Sequence, residues 1–375
     1  MFNSQKFYSL KKILSKQATY NIVIGERSNG KSYAVLYYGL EQFISTGGQL
    51  AVVRRWREDI TGRRASQMME GLNDTGAVHK LCKKYGRYKD DGTPLYDGIV
   101  YYAGKWYLCQ YDDGKPIYNR DTDCFAFAFA LSSSEHDKSL SYPKVTTILF
   151  DEFLTNTIYL QDEFVLFLNV VSTIVRRRLD VKIFLLGNTV NKYCPYFTEM
   201  GLTNVSKMVQ GSIDVYKYGD SGLSVAVEYC SPIKKSNENN FYFAFNNPKL
   251  QMITNGAWEI AIYPHCPCKY KPKNILLTYF ILFQDEVFQC EIINVGKDLF
   301  TYIHRKTTPL RNPDTDIIYT LDYNPQMNYN RNILKPTNNL QKKILWFYKL
   351  DKVYYQDNDV GDSIANYIKI CKQSL

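Results

Sequence analysis

The sequence has no long uninterrupted run of apolar residues. Its longest apolar run, Ile275 to Phe283, is far shorter than the roughly 20 residues that a helix needs to cross a bilayer. The segment FNSQKFYSLKKILSKQ near the start is charged throughout and has no apolar signal-peptide core. We therefore expect neither a membrane anchor nor export.

The sequence also lacks a regular pattern of cysteines. Its 9 cysteines are scattered and odd in number, which is typical of free thiols in a reducing compartment. The one tight cluster is His265, Cys266 and Cys268, and no second cluster accompanies it as zinc fingers usually require. We interpret this segment as turns around Pro264 and Pro267, and we expect no metal there.

The length and charge of the chain set broad limits on its class. Its 375 residues are enough for two domains with separate cores. The net charge of +9 favours a polyanionic partner such as nucleic acid. A mildly basic enzyme of another class would carry the same charge, so the charge alone does not decide between them.

The first 230 residues follow an α/β pattern. Short β-rich runs alternate with helical stretches, which predicts a mostly parallel sheet buried on both faces. A helix is expected from Lys31 to about Ser45 and another from Gln161 to Arg178, the latter with Phe164, Leu168, Val171 and Val175 facing the sheet. The predicted strands are Asn21–Gly25, Leu50–Arg55, Cys124–Leu131, Val145–Phe150 and Lys182–Gly187, with a hairpin over Gly98–Cys109 that turns at Ala103-Gly104.

The composition changes after Cys230, where a polar, Asn-rich stretch begins. We predict a first domain over residues 1–230, a linker or small subdomain over 231–256, and a C-terminal α+β domain over 257–375. The predicted elements of the last domain are strands at Ala257–Tyr263, Ile275–Phe283, Val287–Ile293 and Asp316–Leu321, followed by helices at Leu340–Leu350 and Ser363–Cys371.

The strongest motif is a phosphate-binding loop of the form G-x-x-x-x-G-K-[ST]. It directly follows an apolar strand and opens a predicted helix, which is the context that the motif requires. Glycines let the backbone wrap a phosphate, and the helix N-terminus adds positive potential. Lys31 is expected to reach the β- and γ-phosphates and Ser32 to ligate Mg²⁺. The predicted nucleotide-binding residues are Gly25, Glu26, Arg27, Ser28, Asn29, Gly30, Lys31 and Ser32.

Two carboxylates end the strand Thr147-Ile148-Leu149-Phe150. Asp151 is expected to hold Mg²⁺ through water, and Glu152 to polarise the attacking water as general base. This pair favours hydrolysis over transfer to another acceptor. The predicted strands between the loop and the pair suit the P-loop branch with an extra central strand. Asn188, which ends the next strand, could sense the γ-phosphate or simply end a strand.

Three further groups of cations have two interpretations each. Arg176, Arg177 and Arg178 end the predicted second helix, so they either complement its dipole or supply an arginine finger to a neighbouring subunit. Arg54, Arg55 and Arg57 flank Trp56, where they could contact phosphate or DNA or be solvated. Lys138 lies in a polar loop just before the Asp151 strand, so it is either exposed or part of the site.

Together these segments resemble the DNA packaging ATPases of small tailed phages, the phi-twenty-nine-like motors, which are related to terminase large subunits. The resemblance spans most of the chain. It implies a P-loop ATPase domain of the ASCE or RecA-like type, with Glu152, Arg176, Lys138 and Asn188 in catalytic roles and Arg176 acting across subunits. The segments that carry the resemblance are NIVIGERSNGKSYA, VVRR, DKSLSYPKVTTILFDEF, TIVRRR and LLGNTVNKYCPYF.

The resemblance further implies ATP and Mg²⁺ as cofactors, double-stranded DNA as the cargo, and a homomeric ring, a pentamer in the best-known members. Such a ring acts in the host cytoplasm and docks transiently at the procapsid portal vertex, in some members with a structural RNA. No membrane is involved.

The predicted C-terminal domain departs from the nuclease pattern of the terminases. An RNase H-type nuclease needs converging carboxylates, one of them inside its first strand, and Asn274 to Ile281 contains none. We expect an RNase H-like fold without nuclease activity. Its basic side chains would grip DNA backbone or portal, for example Lys269, Lys271, Lys273, Arg305 and Lys306.

Three alternatives remain open from the sequence. The first is another translocase or helicase with the same ATPase core. The second is an adaptor that uses ATP only to order an assembly. The third is a terminase large subunit with an active nuclease, whose candidate carboxylates are Asp285, Glu286, Glu291, Asp298 and Asp322.

Overall fold

The chain divides into two compact units, Met1–Glu259 and Ile260–Leu375. The computed structural model describes residues 7–133, 141–155, 159–189, 194–231, 262–283 and 286–373. None of the helices in these ranges combines the length and the apolarity that crossing a membrane requires. The predicted linker over 231–256 lies almost wholly outside the described residues, so the three-part division stays a prediction.

The first unit is built on one large, mostly parallel sheet with helices on both faces. Its strands are β1 (Tyr20–Gly25), β2 (Gln49–Arg54), β3 (Gly98–Tyr102), β4 (Lys105–Asp112), β5 (Lys115–Ile117), β6 (Cys124–Ala130), β7 (Val145–Asp151), β8 (Lys182–Asn188), β9 (Ile213–Lys217) and β10 (Ser224–Tyr229). Its α-helices are α1 (Lys11–Leu14), α2 (Lys31–Thr46), α3 (Gly62–Met68), α4 (Glu70–Asp74), α5 (Ala77–Lys84), α6 (Glu163–Val175) and α7 (Pro195–Glu199).

The strand order along this sheet is β3-β4-β6-β2-β7-β8-β1-β10-β9, and β5 pairs with β4. Strands β6, β2, β7, β8, β1 and β10 are mutually parallel, whereas β3, β4, β5 and β9 are antiparallel additions at the two sides. The strand β8 separates β1 from β7. This order confirms the predicted α/β fold class, with an extra strand between the phosphate-loop strand and the carboxylate strand.

Both faces of the sheet are buried, as the continuous apolar strands predicted. Ile22 and Ile24 of β1 contribute to one core, which includes α6 and α7, whereas Val23 points to the other, which includes α2 to α5. The left-handed Gly47 ends α2 close to the predicted Ser45, and its N–H donates to the Phe43 carbonyl oxygen. The predicted hairpin also forms, because Ala103 and Gly104 both take positive φ at the turn between β3 and β4.

The helix α6 is shorter than predicted, and its most buried stripe is slightly rotated. The fully buried apolar residues are Phe167, Val170, Val171 and Ile174. Of the four predicted residues only Val171 is fully buried, while Phe164, Leu168 and Val175 pack partly buried against the same core.

The second unit is an α+β unit built on a six-stranded mixed sheet among its described residues. The strand order is β15-β14-β11-β12-β13-β16, in which β11, β12 and β13 form an antiparallel meander and the outer strands add in parallel. Its elements are β11 (Ile275–Phe283), β12 (Glu286–Val295), β13 (Asp298–Arg305), β14 (Ile318–Thr320), β15 (Tyr329–Asn330), α8 (Asn339–Lys349), β16 (Val353–Tyr355) and α9 (Asn358–Gln373).

The predictions for the second unit were partly correct. The strand β11 has the predicted bounds, and α8 and α9 lie where helices were expected. The strand β13 was not predicted, although the turn at Gly296, with φ +62°, sets it up as the partner of β12. The predicted strand over 257–263 lies mostly outside the described residues. The RNase H-like fold of the second unit stays a prediction.

Candidate active site

The phosphate-binding loop joins β1 to α2 at the carboxyl edge of the sheet. Ser28 and Gly30 adopt left-handed φ angles of 59° and 87°, which turn the loop back over the start of the helix. A Cβ at Gly25 would lie 2.9 Å from Cys230 Cβ, so only glycine lets β1 pass this close to the chain after β10. The local sequence therefore folds into the predicted strand, loop and helix.

The buried Lys31 side chain lies at the centre of the loop. Its Nζ donates to the Glu26 carbonyl oxygen at 2.6 Å, to Asn29 Oδ1 at 3.1 Å and to Asn188 Oδ1 at 3.3 Å. Burial lowers the pKa of Lys31 below its usual value, because desolvation disfavours the ammonium form. Asn188 thus belongs to the same site as the loop, since β8 lies beside β1 with Asn188 in register with Gly25.

The carboxylate pair lies across this edge from the loop. Ser32 Oγ donates to Asp151 Oδ1 at 2.9 Å, which joins the first turn of α2 to the end of β7. Burial raises the pKa of Asp151, while the nearby Arg54 cation and the Ser32 hydroxyl act in the opposite direction. The two residues predicted to share a metal ion are therefore neighbours.

Arg54 is a member of the site. Its guanidinium donates to Asp151 Oδ2 at 2.9 Å and to Glu152 Oε2 at 2.7 Å. The sequence predicted that this arginine contacts phosphate or DNA or is solvated, and it did not predict the two carboxylate partners. In this structure its charge neutralises the two carboxylates.

Glu152 has an unusual backbone and an accessible side chain. Its φ is 60°, a left-handed conformation that a non-glycine residue rarely adopts. Its side chain is 59% exposed, whereas that of Asp151 is 12% exposed. A carboxylate in this position can reach a water molecule in the cleft, as a general base must.

Lys31, Asn188, Ser32, Asp151 and Glu152 line one cavity of about 630 Å³. Six of the eight predicted loop residues line this cavity. The other two, Gly25 and Glu26, accept hydrogen bonds from Lys31 Nζ through their carbonyl oxygens. The lining is Arg27, Ser28, Asn29, Gly30, Lys31, Ser32, Tyr33, Asp151, Glu152, Leu154, Thr155, Leu186, Gly187 and Asn188.

The three arginines after α6 have different environments. Arg176 and Arg177 are exposed and both left-handed, with φ of 42° and 70°, and neither lines the cavity of its own chain. Arg178 instead donates to the Val145 carbonyl oxygen at 2.6 Å and holds the end of the helix against the start of β7. Lys138 lies outside the described residues.

Sequence reasoning missed one buried ion pair. The sequence predicted that Arg55 contacts phosphate or DNA or is solvated, but only 7% of its side chain is exposed and it binds Glu163, which was not singled out. Successive residues of an extended chain point to opposite faces, so Arg54 at the end of β2 reaches the carboxylates of the cleft and Arg55, directly after it, reaches the core. The sequence feature that could have indicated this pair was Glu163, a charged residue at the start of the apolar helix α6.

The candidate residues of the second unit have different environments. Lys269, Lys271 and Lys273 are exposed, while Arg305 is paired with Glu286 at 3.0 Å and Asp357 at 3.5 Å. Cys266 Sγ donates to the Cys268 carbonyl oxygen in a local turn. Within the described ranges, no three His, Cys, Asp or Glu side chains are grouped so that they could hold a metal ion.

The family comparison identifies the chain. The model of the Podovirus DNA encapsidation protein (Gp16) family matches residues 2–89 and 113–241, more than half of the sequence. The chain belongs to this family. The Podovirus DNA encapsidation match covers the phosphate loop, the carboxylate pair, Arg176 and Asn188, and it confirms the resemblance inferred from those motifs.

Individual relatives agree with the family. The DNA packaging proteins of Bacillus phages phi29 and PZA are each 31% identical over 194 residues, which is 51% of this chain and 49% of theirs. The chain thus spans about half the length of the curated relatives it matches.

Two solved structures share the fold over nearly the whole chain. The Phi-28 gp11 DNA packaging motor has a TM-score of 0.55 at 18% identity, covering 98% of this chain and 99% of that one. The bacteriophage Phi-29 viral genome packaging motor assembly has a TM-score of 0.54 at 21% identity, covering 98% of both. At these identities they support the fold alone.

Proposed function

We propose that this protein is an ATP-hydrolysing motor subunit that moves double-stranded DNA into a viral procapsid. The observation that supports the proposal most directly is the hydrogen bond from Ser32 Oγ to Asp151 Oδ1, at 2.9 Å. Lys31, Glu152 and Asn188 line the same cavity. A triphosphate would bind with its β- and γ-phosphates at Lys31 and the loop amides.

The residues present fit Mg²⁺. Ser32 Oγ and an Asp151 carboxylate oxygen are hard oxygen donors, which this ion prefers, and waters would complete its shell. The bound ion would neutralise charge on the phosphate oxygens. Glu152 would accept a proton from the attacking water, and Asn188, already 3.3 Å from Lys31 Nζ, would sense the γ-phosphate.

Arg176 is proposed to complete the site of a neighbouring subunit. It is exposed beyond the end of α6 and does not line its own cavity, which suits a cation that acts on another copy. Lys138 is proposed to act in the same way. The assembly would be a homomeric ring, a pentamer by analogy with the best-known relatives.

The partners follow from the family and from charge. The relatives are named DNA packaging proteins, so we propose double-stranded DNA as cargo and the portal vertex of the procapsid, in the host cytoplasm, as the place of action. A structural RNA is a further proposed partner. The second unit is proposed to be RNase H-like without nuclease activity and to contact phosphates through exposed lysines such as Lys269 and Lys271.

The hydrolysis step is tested with Glu152→Gln. Purified protein is incubated with ATP, Mg²⁺ and duplex DNA, and phosphate release is measured alongside binding of a fluorescent ATP analogue. The variant should bind the analogue with unchanged affinity and release phosphate about 10²- to 10⁴-fold more slowly, because the general base is lost. The exposed Glu58→Gln serves as the matched control and should behave as wild type.

Two results would contradict the proposal. One is wild-type protein that releases no phosphate with DNA present, and the other is Glu152→Gln turnover equal to that of Glu58→Gln. The same preparation should displace a triplex-forming strand from duplex DNA without separating the duplex. Separation of the duplex would instead identify a helicase.

A further inference from the structure

A buried ion pair lies directly beneath the carboxylate segment. Arg55 Nε is 2.7 Å from Glu163 Oε2, and one terminal nitrogen of Arg55 donates to Oε1 at 2.9 Å. The two side chains are 7% and 0% exposed. The pair joins the residue after β2 to the first residue of α6.

The network around this pair is well satisfied. Glu163 also accepts the Leu160 N–H at 2.8 Å and the Tyr196 hydroxyl at 3.0 Å. The Tyr159 ring lies 5.0 Å from the Arg55 guanidinium carbon. Removing two charges from water is costly, and an apolar pair of similar volume is often equally stable. Stability alone therefore does not account for an ion pair here.

The remaining donors of Arg55 point to the backbone that carries the proposed general base. One terminal nitrogen donates to the Phe153 carbonyl oxygen at 2.6 Å, and the other to the Glu152 carbonyl oxygen at 3.3 Å. Glu152 is the residue with φ of 60°. A left-handed non-glycine residue costs free energy and persists only where its surroundings hold it.

We infer that the Arg55–Glu163 pair is a positioning device for Glu152. Glu163 fixes the guanidinium, and the guanidinium fixes the two carbonyl groups that follow the Asp151–Glu152 peptide. The Glu152 carboxylate is thereby held toward the cleft while nucleotide binding is left to the loop. This inference rests on the proposed function, because it assigns Arg55 and Glu163 a role in the hydrolytic step.

The test is the double variant Arg55→Met/Glu163→Leu, which removes both charges together and leaves neither one buried alone. We expect a folded protein whose kcat is about 10²-fold lower, since misplacing a reacting group by about 1 Å has that effect. Its KM should change less than about threefold, because the phosphate loop is untouched. In a Glu152→Gln background the same double change should have no further effect on kcat.

Arg87→Met is the matched control. Arg87 also donates to two backbone carbonyl oxygens, those of Ile44 at 2.9 Å and Ser45 at 3.1 Å, but it does not line the cavity. Its kcat should equal that of wild type. Should the double variant fail to fold, Arg55→Lys replaces it. A lysine ammonium has three donors at one point and cannot reproduce the planar guanidinium, which reaches both Glu163 oxygens and two carbonyl oxygens, so kcat should fall by about tenfold at nearly constant KM.

The outcomes separate the two proposals. A folded double variant or Arg55→Lys with the kcat of Arg87→Met overturns the positioning role and leaves the ATPase proposal intact. A parallel loss of nucleotide affinity and kcat also overturns it, since that marks a general structural role. Absence of phosphate release by the wild-type protein overturns both.

Discussion

At the scale of single residues, Gly187 is required by a close contact beside the cleft. It precedes Asn188 in β8, and a Cβ added there would lie 2.7 Å from Leu154 Cδ1 and 3.0 Å from Phe153 Cε1. The segment after the carboxylate pair thus packs directly on β8. A side chain at this position would push the segment that follows the carboxylate pair away from β8.

Gly187→Ala is therefore expected to lower the free energy of unfolding by about 1–3 kcal/mol, as overpacking does. Gly71→Ala provides a control of opposite sign. Its new Cβ would lie 3.5 Å from the Tyr33 ring, an ordinary contact, and alanine in α4 should stabilise by about 0.5–1 kcal/mol. Urea unfolding of both variants measures the difference. Equal effects would refute the close-packing argument.

At the scale of elements, the hairpin of β12 and β13 contains a pH-sensitive pair. His304 Nε2 lies 3.6 Å from Glu291 Oε1, and Glu291 also accepts the Tyr270 hydroxyl. The neighbouring carboxylate raises the pKa of His304 above 6.5. Burial alone would raise the pKa of Glu291, but the hydrogen bonds it accepts and the nearby His304 hold it below its usual value.

The directions of these two pKa shifts predict how the stability of the second unit depends on pH. The contribution of His304 is complete below its unfolded-state pKa and is lost as pH rises through its higher folded-state pKa. The free energy of unfolding of the second unit, measured in urea, should therefore be roughly 1 kcal/mol lower at about pH 8.5 than at about pH 6. His304→Gln should remove this slope, whereas His79→Gln in the first unit should retain it. An unchanged slope in His304→Gln would contradict the assignment.

At the scale of the whole molecule, Arg27 is the one arginine among the described residues that lines the cavity, and Arg54 pairs with the two carboxylates at its edge. Arg178 donates to carbonyl oxygens around β7, whereas Arg176 and Arg177 are exposed. A homomeric ring would bring such a residue to the next site, because head-to-tail interfaces join different surfaces of each subunit.

Mixing two inactive variants tests this arrangement. Glu152→Ala and Arg176→Ala should each abolish most phosphate release alone. Random mixing in a ring leaves about a quarter of the interfaces with an intact glutamate and an intact neighbouring arginine, so part of the activity should return. Glu152→Ala mixed with Lys31→Ala/Arg176→Ala is the negative control. No recovery in the first mixture would remove the role of Arg176 across subunits.

The sequence alone determined the elements whose signals are local. The phosphate-binding loop predicted three elements together, namely β1, the loop through Ser32 and α2, because this glycine pattern lies between an apolar strand and a helix. The strand β7 was predictable from its continuous β-rich run. The hairpin at Ala103-Gly104 was predictable because a glycine turn separates two β-rich runs. The strands β9, β10 and β13 and the helices α3 to α5 were not predicted, since their short mixed segments gain their structure from packing on the sheet.

Only the tertiary structure decided what the paired arginines do. Arg54 and Arg55 are adjacent, yet Arg54 binds Asp151 and Glu152 while Arg55 binds Glu163 in the core. The direction of each side chain follows from strand alternation, but its partner lies about a hundred positions along the chain and enters only when β2, β7 and α6 come together. Local patterns specify which groups are available, and the sheet order specifies which of them meet.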